Sequence, residues 1–440
     1  MVISLKFNRK VEIVFSEEDK QILDGQSKIC NWLYNHLLEL CKHDYYKNDN
    51  ENKLLSGRNL RNQVPRLKEE YPFLKTVHSS VTKNTALRLK SAYEKFFKEE
   101  DINPPIFRAW KKKWFSLYYD EPNKGFKVLE DNKLQISLGK DENNKRLKIF
   151  GDLKEPLNLR ETDNILTFRL CKQQGERFYA IFTIERQPIK KQSKKRNRWI
   201  TLDPNHKNFF TAIDYQGHSF EFEKLPQLKY WDKVIDRIKS KQDKALRQAK
   251  KRKSKGGRTY FLASKRWERL NRALDKAYHR RREQIKQAMY AIANDLAKKY
   301  DYVAIGDYTP STDTAIYDNM HRSMLNQEVI GQFRKILLWV FERSNKHGAV
   351  VDETGTTKTC CICGHEEKKD PSIRNFVCTE CGTNLSRDIN SAVNIAIKDN
   401  LLPGSGHADW GLSQPACIAG WNYQQCKIEK ADVSSTDISA

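Results

Sequence analysis

The 440-residue chain has no window approaching the roughly 18 consecutive apolar residues of a membrane helix. Its first residues, MVISLKFNRKVEIVFS, lack the apolar block and small-residue cleavage site of a signal peptide. They alternate apolar and polar side chains, as a strand does. Both absences predict an intracellular protein with no membrane partner: in the cytoplasm or nucleoid of a prokaryote, or in a nucleus if the source is eukaryotic or viral. Negative charge is also scarce, with 56 Asp and Glu against 80 Lys and Arg, a net charge of +24. A chain this basic seeks a polyanion, and nucleic acid is the leading candidate. What is missing among the ten cysteines is even spacing. Five fall between positions 360 and 381 and the rest are scattered, which argues for a metal site in a reducing compartment rather than a disulfide framework.

The positive charge is concentrated. From Lys229 to Lys299 there are 24 Lys and Arg against 7 Asp and Glu, an excess of 17. The pattern predicts helices over roughly 228–251 and 260–299, separated by a turn at Ser254-Lys255-Gly256-Gly257. In the second, Trp267, Leu270, Leu274, Ala277 and Tyr278 give one apolar face to a strongly cationic pair. An excess this one-sided repels itself unless phosphates lie opposite, which makes Lys251, Arg252, Lys253, Arg280, Arg281 and Arg282 candidate nucleic-acid contacts.

Residues 16–101 read as a small helical bundle, with Leu33, Leu37, Leu40, Leu89, Tyr93, Phe96 and Phe97 at helical spacing. Residues 102–190 are β-rich and, joined to the N-terminal strand (1–15), predict a barrel interrupted by that bundle. Within them Phe107–Tyr119 interleaves cations with aromatics. Arg108, Lys111, Lys112 and Lys113 suit phosphates and Trp110 and Trp114 suit stacking on a base; the same pattern suits a barrel strand with core aromatics. The run 191–198 reads equally as a solvated linker, a backbone-binding strap or a nuclear targeting patch.

The second half has the order three strands (Trp199–Asp203, Phe209–Ile213, Ser219–Phe222), helices, strand (Tyr302–Ile305), helix (325–347), strand (Ala349–Glu353), helix from Arg387. This is the order of a ribonuclease-H-like α/β fold, whose phosphodiester chemistry needs carboxylates converging on two divalent ions. Asp203 ends the first strand and Asp388 opens the last helix, both at one end of the sheet. Hard oxygen ligands select Mg²⁺ or Mn²⁺. Between them, Cys360-x-x-Cys363-Gly and Cys378-x-x-Cys381-Gly present four thiolates to a structural Zn²⁺, with Cys361 outside the ligand set.

These segments, Leu202-Asp-Pro-Asn-His-Lys-Asn-Phe-Phe210, Thr356-Thr-Lys-Thr-Cys-Cys-Ile-Cys-Gly364, Cys378-x-x-Cys-Gly382 and Arg387-Asp-Ile-Asn-Ser-Ala-Val-Asn-Ile395, resemble the TnpB family of transposon-encoded RNA-guided DNA nucleases. That family is related to the Fanzor proteins and to compact type V CRISPR effectors. The resemblance implies an α+β multidomain protein with a wedge β-barrel (1–15 and 102–190) and a helical recognition insert (16–101). A RuvC nuclease domain (199–354 and 384–400) would follow, with a zinc-ribbon insert (355–383) and a C-terminal tail (401–440). It also implies a guide RNA, a double-stranded DNA target beside a short recognised motif, Mg²⁺- or Mn²⁺-dependent cleavage, and a monomeric ribonucleoprotein.

One departure stands out. The fourth RuvC strand of the family commonly ends in a catalytic Glu followed by Asp, whereas this chain has Gly306-Asp307. Either Glu353, just ahead of the cysteines, has taken over, as in some TnpB branches and Fanzors, with Gly306 leaving it room; or the protein is a nuclease-inactive, guided DNA-binding repressor. The retention of Asp203 and Asp388 beside Glu353 favours the first, with Asp203, Glu353 and Asp388 as the metal-binding trio. The tail has no legible chemistry, Cys417 and Cys426 read as packing or free thiols, and Val433–Ala440 reads as disordered.

Overall fold

The computed structural model describes the chain except residues 1–3, 48–52, 100, 101, 110–114, 142, 174–176, 187–195, 206, 207, 249, 254–258, 309–327, 369, 371, 372, 403–416, 423, 426 and 433–440. It divides into two units, Met1–Pro188 and Ile189–Ala440. No described helix is long and apolar enough to cross a membrane.

The first unit is built on seven antiparallel strands: β1 (Leu5–Val14), β2 (Ser116–Tyr119), β3 (Phe126–Val128), β4 (Lys133–Lys140), β5 (Arg146–Leu153), β6 (Asp163–Lys172) and β7 (Phe178–Arg186). Their order is β2-β6-β7-β1-β5-β4-β3. β1 is the hinge of the sheet: it pairs with β7 from Leu5 to Ile13 and passes to β5 through Ile13 and Val14. The sheet curls, because Phe168 of β6 touches Tyr119 of one edge strand at 5.5 Å and Phe126 of the other at 5.3 Å. The result is a near-closed barrel around Val11, Ile13, Leu134, Ile136, Phe168, Phe178 and Phe182. Between β1 and β2 lie α1 (Glu17–Lys47), α2 (Asn59–Glu70) and α3 (Ser79–Lys98). They share a separate core of Leu33, Leu37, Leu38, Leu60, Val64, Leu67 and Leu89.

The second unit has a mixed sheet. Its strands are β8 (Trp199–Pro204), β9 (Phe210–Asp214), β10 (Ser219–Phe222), β13 (Tyr302–Gly306), β14 (His347–Val351), β17 (Cys417–Asn422) and β18 (Lys427–Asp432), in the order β14-β13-β8-β9-β10-β17-β18. β14, β13 and β8 run parallel, whereas β8, β9 and β10 form an antiparallel meander. β8 and β13 are buried along their whole length, which is why they read as continuous apolar runs rather than alternating ones. On one face α5 (Lys265–Lys299) and α6 (Glu328–Arg343) cover Ile200, Leu202, Val303 and Ile305. On the other, α7 (Arg387–Lys398) covers Trp199, Tyr302 and Ala304.

Three expectations change. The turn expected at 254–257 falls outside the described residues, but flanking it is a β-hairpin of β11 (Lys251–Lys253) and β12 (Thr259–Phe261). The first basic helix, α4 (Pro226–Arg247), therefore ends early, and α5 begins late, where the Ser264 Oγ accepts from the Trp267 backbone N–H at 3.2 Å. The helix expected to reach 347 stops at Arg343 because Asn345 adopts a left-handed φ of 63° and the Lys346 N–H closes back on the Phe341 carbonyl at 2.9 Å. β14 consequently starts and ends early, so Glu353 stands beyond the strand, in a loop. Finally, the tail is part of the sheet: β17 adds in parallel to β10 and brings Trp421 into the core. Cys417 lies in β17, whereas Cys426 and Val433–Ala440 lie outside the described residues.

Candidate metal centres and nucleic-acid contacts

Strand alternation decides where Asp203 points. Ile200 and Leu202 face α5 and α6; Trp199, Thr201 and hence Asp203 face α7. Thr201 fastens this face, its hydroxyl donating to the Ala392 carbonyl of α7 at 2.9 Å. The neighbouring pair Ile305 and Leu202 sets Gly306 beside Asp203 on the same face. Asp388 is in the first turn of α7, where the helix dipole favours a carboxylate. Arg374 Nη1 lies 3.5 Å from Asp388 Oδ2, and Arg387 Nε lies 3.8 Å from Oδ1.

Glu353 completes the group from its loop. A Cβ built on Gly306 would run into Oε1, Cδ and Cγ of Glu353, so the glutamate carboxyl occupies the volume that a side chain at 306 would need. Asp307, on the opposite face, serves as an anchor: its N–H donates to the Val351 carbonyl at 2.9 Å and its Oδ1 accepts from the Glu353 N–H at 3.0 Å. Asp203 thus lies close enough to Glu353 and to Asp388 for both charges to act on it. Burial raises the Asp203 carboxyl well above the usual range, and the nearby Glu353 and Asp388 carboxylates add to the effect. Burial, with Asp307 next, pushes Glu353 up to about 7.

Three crowded carboxyls under a strand end are costly without a cation. Glu353 Oε1 is buried and has no hydrogen-bond partner among the described residues. All the donors are hard oxygens, so the residues present fit Mg²⁺ or Mn²⁺. The sign of the pH effect follows for the metal-free chain. A Glu353 raised from its ordinary 4.5 to about 7 holds a proton when folded that the unfolded chain has released. Its contribution to stability is complete below pH 4.5 and is lost as pH rises toward and through 7. Melting of the metal-free chain from pH 4.5 to 8 is expected to show a downward slope that Glu353→Gln flattens. An unchanged slope in that variant would contradict the assignment.

The cysteine quartet sits between β14 and α7. Cys360, Cys363, Cys378 and Cys381 offer sulfur atoms all within 4.8 Å of one another. Two separations, Cys360–Cys381 at 3.7 Å and Cys363–Cys378 at 3.6 Å, approach the ~3.8 Å edge of a tetrahedron with Zn–S bonds of about 2.3 Å. Each half is the same knuckle. The Gly364 N–H donates to the Cys360 carbonyl and the Gly382 N–H to the Cys378 carbonyl, with φ of +77° and +73° that only glycine adopts freely. A small hairpin, β15 (Asn375–Val377) with β16 (Asn384–Ser386), carries the second knuckle back to α7. Cys361 is buried against α7 instead, as its exclusion from the ligand set requires.

The nucleic-acid candidates divide. Arg280 and Arg282 are exposed on α5, whereas Arg281 Nε is held by Asp232 Oδ1 of α4 at 3.1 Å. Lys251, Arg252 and Lys253 form β11. Lys111, Lys112, Lys113, Trp110 and Trp114 lie outside the described residues. Arg108 is half-buried: it stacks on Tyr34 at 3.8 Å and its Nη1 donates to Asn31 Oδ1 at 3.0 Å. Sequence reading missed Arg88 of α3, whose Nη2 reaches Ser116 Oγ at 3.3 Å, and Arg169, stacked on Tyr118. Burial, with the Arg169 charge next, lowers the Arg88 guanidinium, and no described carboxylate pairs with either arginine. Lone arginines in a helix and a strand carry no motif, so no sequence signal marked them.

Comparison with known proteins fits this geometry. The Cas12f1-like TNB domain family matches residues 331–395, a span that includes Glu353, all four clustered cysteines and Asp388. The putative transposase R186 of Acanthamoeba polyphaga mimivirus is 28% identical over 252 residues, 53% of this chain and 48% of its own length. The chain thus spans about half the length of that curated relative. The fold is that of a protein seen in a Cas12f1–sgRNA–target DNA complex, with a TM-score of 0.61 at 13% identity, covering 87% of this chain and 83% of that one. The chain is thus similar to the Cas12f1-like TNB domain from the cysteine quartet into α7, and similar in fold to the Cas12f1 of that complex.

Proposed function

We propose that the protein is an RNA-guided DNA endonuclease that cleaves by two-metal-ion RuvC chemistry. The observation that carries this reading is Glu353 laid over Gly306, its buried Oε1 unpartnered among the described residues, near an Asp203 that also feels the Asp388 charge. A catalytic carboxylate lost by drift leaves no reason for another glutamate to fill its volume at an energetic cost. The sheet order β14-β13-β8-β9-β10 supports a ribonuclease-H-like nuclease core.

Asp203, Glu353 and Asp388 would hold the divalent ions, and Cys360, Cys363, Cys378 and Cys381 a structural Zn²⁺. Divalent ions so bound activate water and stabilise the leaving oxygen of a phosphodiester. The three carboxylates come from a strand end, a loop and a helix N-terminus, so their spacing is fixed by packing rather than by one flexible segment. Burial keeps bulk water from competing for them. The cations of α4 and α5, with Arg88, Arg108 and Arg169 in the first unit, suit the guide RNA and the DNA duplex. The barrel and its helical insert would serve as wedge and recognition domains, reading a short motif beside the target.

The test is to purify the full chain with its co-purifying RNA, sequence that RNA, and offer a DNA target matching its 3′ end in Mg²⁺ or Mn²⁺. Cleavage of the matched target alone is expected. Matched binding without any nicking would favour a guided repressor, and the absence of a discrete bound RNA would favour an unguided nuclease.

A further inference from the structure

The third carboxylate comes from a loop, and loops are usually the least exact part of a site. Here the loop is tied down from α7. Asn390 and Asn394 lie one turn apart on that helix and are almost wholly buried, at 0% and 6% exposure. The Asn390 side-chain amide donates to the carbonyls of Thr356 at 3.1 Å and Thr359 at 2.8 Å. Asn394 donates to the same two carbonyls at 2.8 and 2.7 Å. Each amide spends both of its N–H donors on one turn of backbone, a pattern that neither a carboxylate nor a hydroxyl reproduces. Asn390 Oδ1 accepts from the Cys361 N–H at 2.9 Å, extending the tie into the first cysteine knuckle. Thr356 passes the tie on: its N–H and its hydroxyl both donate to the Glu353 carbonyl, at 3.0 and 2.9 Å. With Asp307 holding the Glu353 N–H, the glutamate backbone is fixed on both sides.

We infer that Asn390 and Asn394 are positioning residues: by clamping the Thr356–Thr359 turn to the helix that bears Asp388, they hold Glu353 at the divalent-metal site. The inference rests on the carboxylate site proposed above. Because the same turn leads directly into Cys360, the clamp also couples the thiolate site to the carboxylate site. A glutamate supplied by the loop beyond the neighbouring strand β14 needs such a tie; one at the end of β13 would be fixed by the strand itself.

The experiment titrates Mn²⁺ into the zinc-loaded full chain without target and follows free Mn²⁺ by electron paramagnetic resonance. The variants are Asn394→Ala, the isosteric Asn394→Asp, Glu353→Gln and their combinations. Either asparagine variant is expected to weaken Mn²⁺ binding by about tenfold or more, the usual range for a residue that orients a metal ligand. Zinc content should stay at the wild-type level, because all four thiolates remain and Asn390 Oδ1 still accepts from the Cys361 N–H in the first knuckle. In the Glu353→Gln background the asparagine change should add nothing. Hydrogen exchange over Glu353–Thr359 should speed up in the same variants. Wild-type Mn²⁺ affinity in both asparagine variants, or an equal further loss in the Glu353→Gln chain, overturns the clamp. If Glu353→Gln itself leaves Mn²⁺ binding unchanged, the carboxylate site fails first, and the clamp with it.

Discussion

Asp203→Ala, Glu353→Ala and Asp388→Ala are each expected to reduce cleavage by about a thousandfold or more, ~4 kcal/mol in the barrier, while guide and target binding persist. On the proposed function, each would remove one of three metal ligands, leaving carboxyls that repel with less metal to neutralise them. The structure adds a sharper version for Glu353. Its carboxyl fills the space over Gly306, so Gly306→Ala alone should disturb it and lower activity, although no functional group is lost. Gly306→Glu in the Glu353→Ala chain returns a carboxyl to the vacated volume from the end of β13, and partial recovery over Glu353→Ala is the expected result. Cleavage assays on matched DNA with quantified protein–RNA complex read all of these. Glu353→Ala cutting at the wild-type rate would end the relocated-glutamate reading.

Removing zinc should have the largest structural effect. A structural Zn²⁺ held by thiolates is worth about 10–16 kcal/mol of apparent binding free energy, more than so small a hairpin could supply from its own core. That core is little beyond Phe376 and Ile362 packed on the cysteines themselves. Cys360→Ser or Cys378→Ser should therefore eliminate bound zinc, read by elemental analysis, and raise hydrogen exchange throughout residues 360–386, while the first unit stays protected. Cys361→Ser is the internal control. Its thiol packs against α7 rather than facing the quartet, so zinc should remain and only packing should suffer. Zinc lost from Cys361→Ser but kept by Cys378→Ser would show that the ligand set has been misread.

How much of this was readable without coordinates depends on distance along the chain. The two knuckles were legible because each is local: a CxxC-Gly run holds its two ligands and the left-handed glycine within five residues. β8 and β13 were legible because full burial makes an uninterrupted apolar run. Asp203 and Asp388 stood out as the end of one such run and the start of an amphipathic helix. The barrel's β5 was not recognised, since only its alternate residues Ile149, Gly151 and Leu153 are buried and the opposite face mixes the exposed Phe150 with Lys148 and Asp152, which blurs the alternation. The tail's strands were missed because β17 and β18 complete a sheet begun two hundred residues earlier. Asn390 and Asn394 were visible at helical spacing on an apolar face, a signal of buried polar work that sequence reading passed over.

The sequence by itself determined the chemistry available: four thiolates at zinc-knuckle spacing, acidic groups flanking them, and a cationic segment suited to phosphates. Side-chain identity fixes which atoms can bind a metal, and short spacing fixes which of them can meet. Only the tertiary structure decided where Glu353, already singled out in the sequence, stands: over Gly306 and beside Asp203. That placement depends on β13 lying between β8 and β14, on a strand that ends before Glu353, and on the missing side chain at Gly306. None of these is local, because a volume left empty by one strand is filled only when packing brings another segment over it.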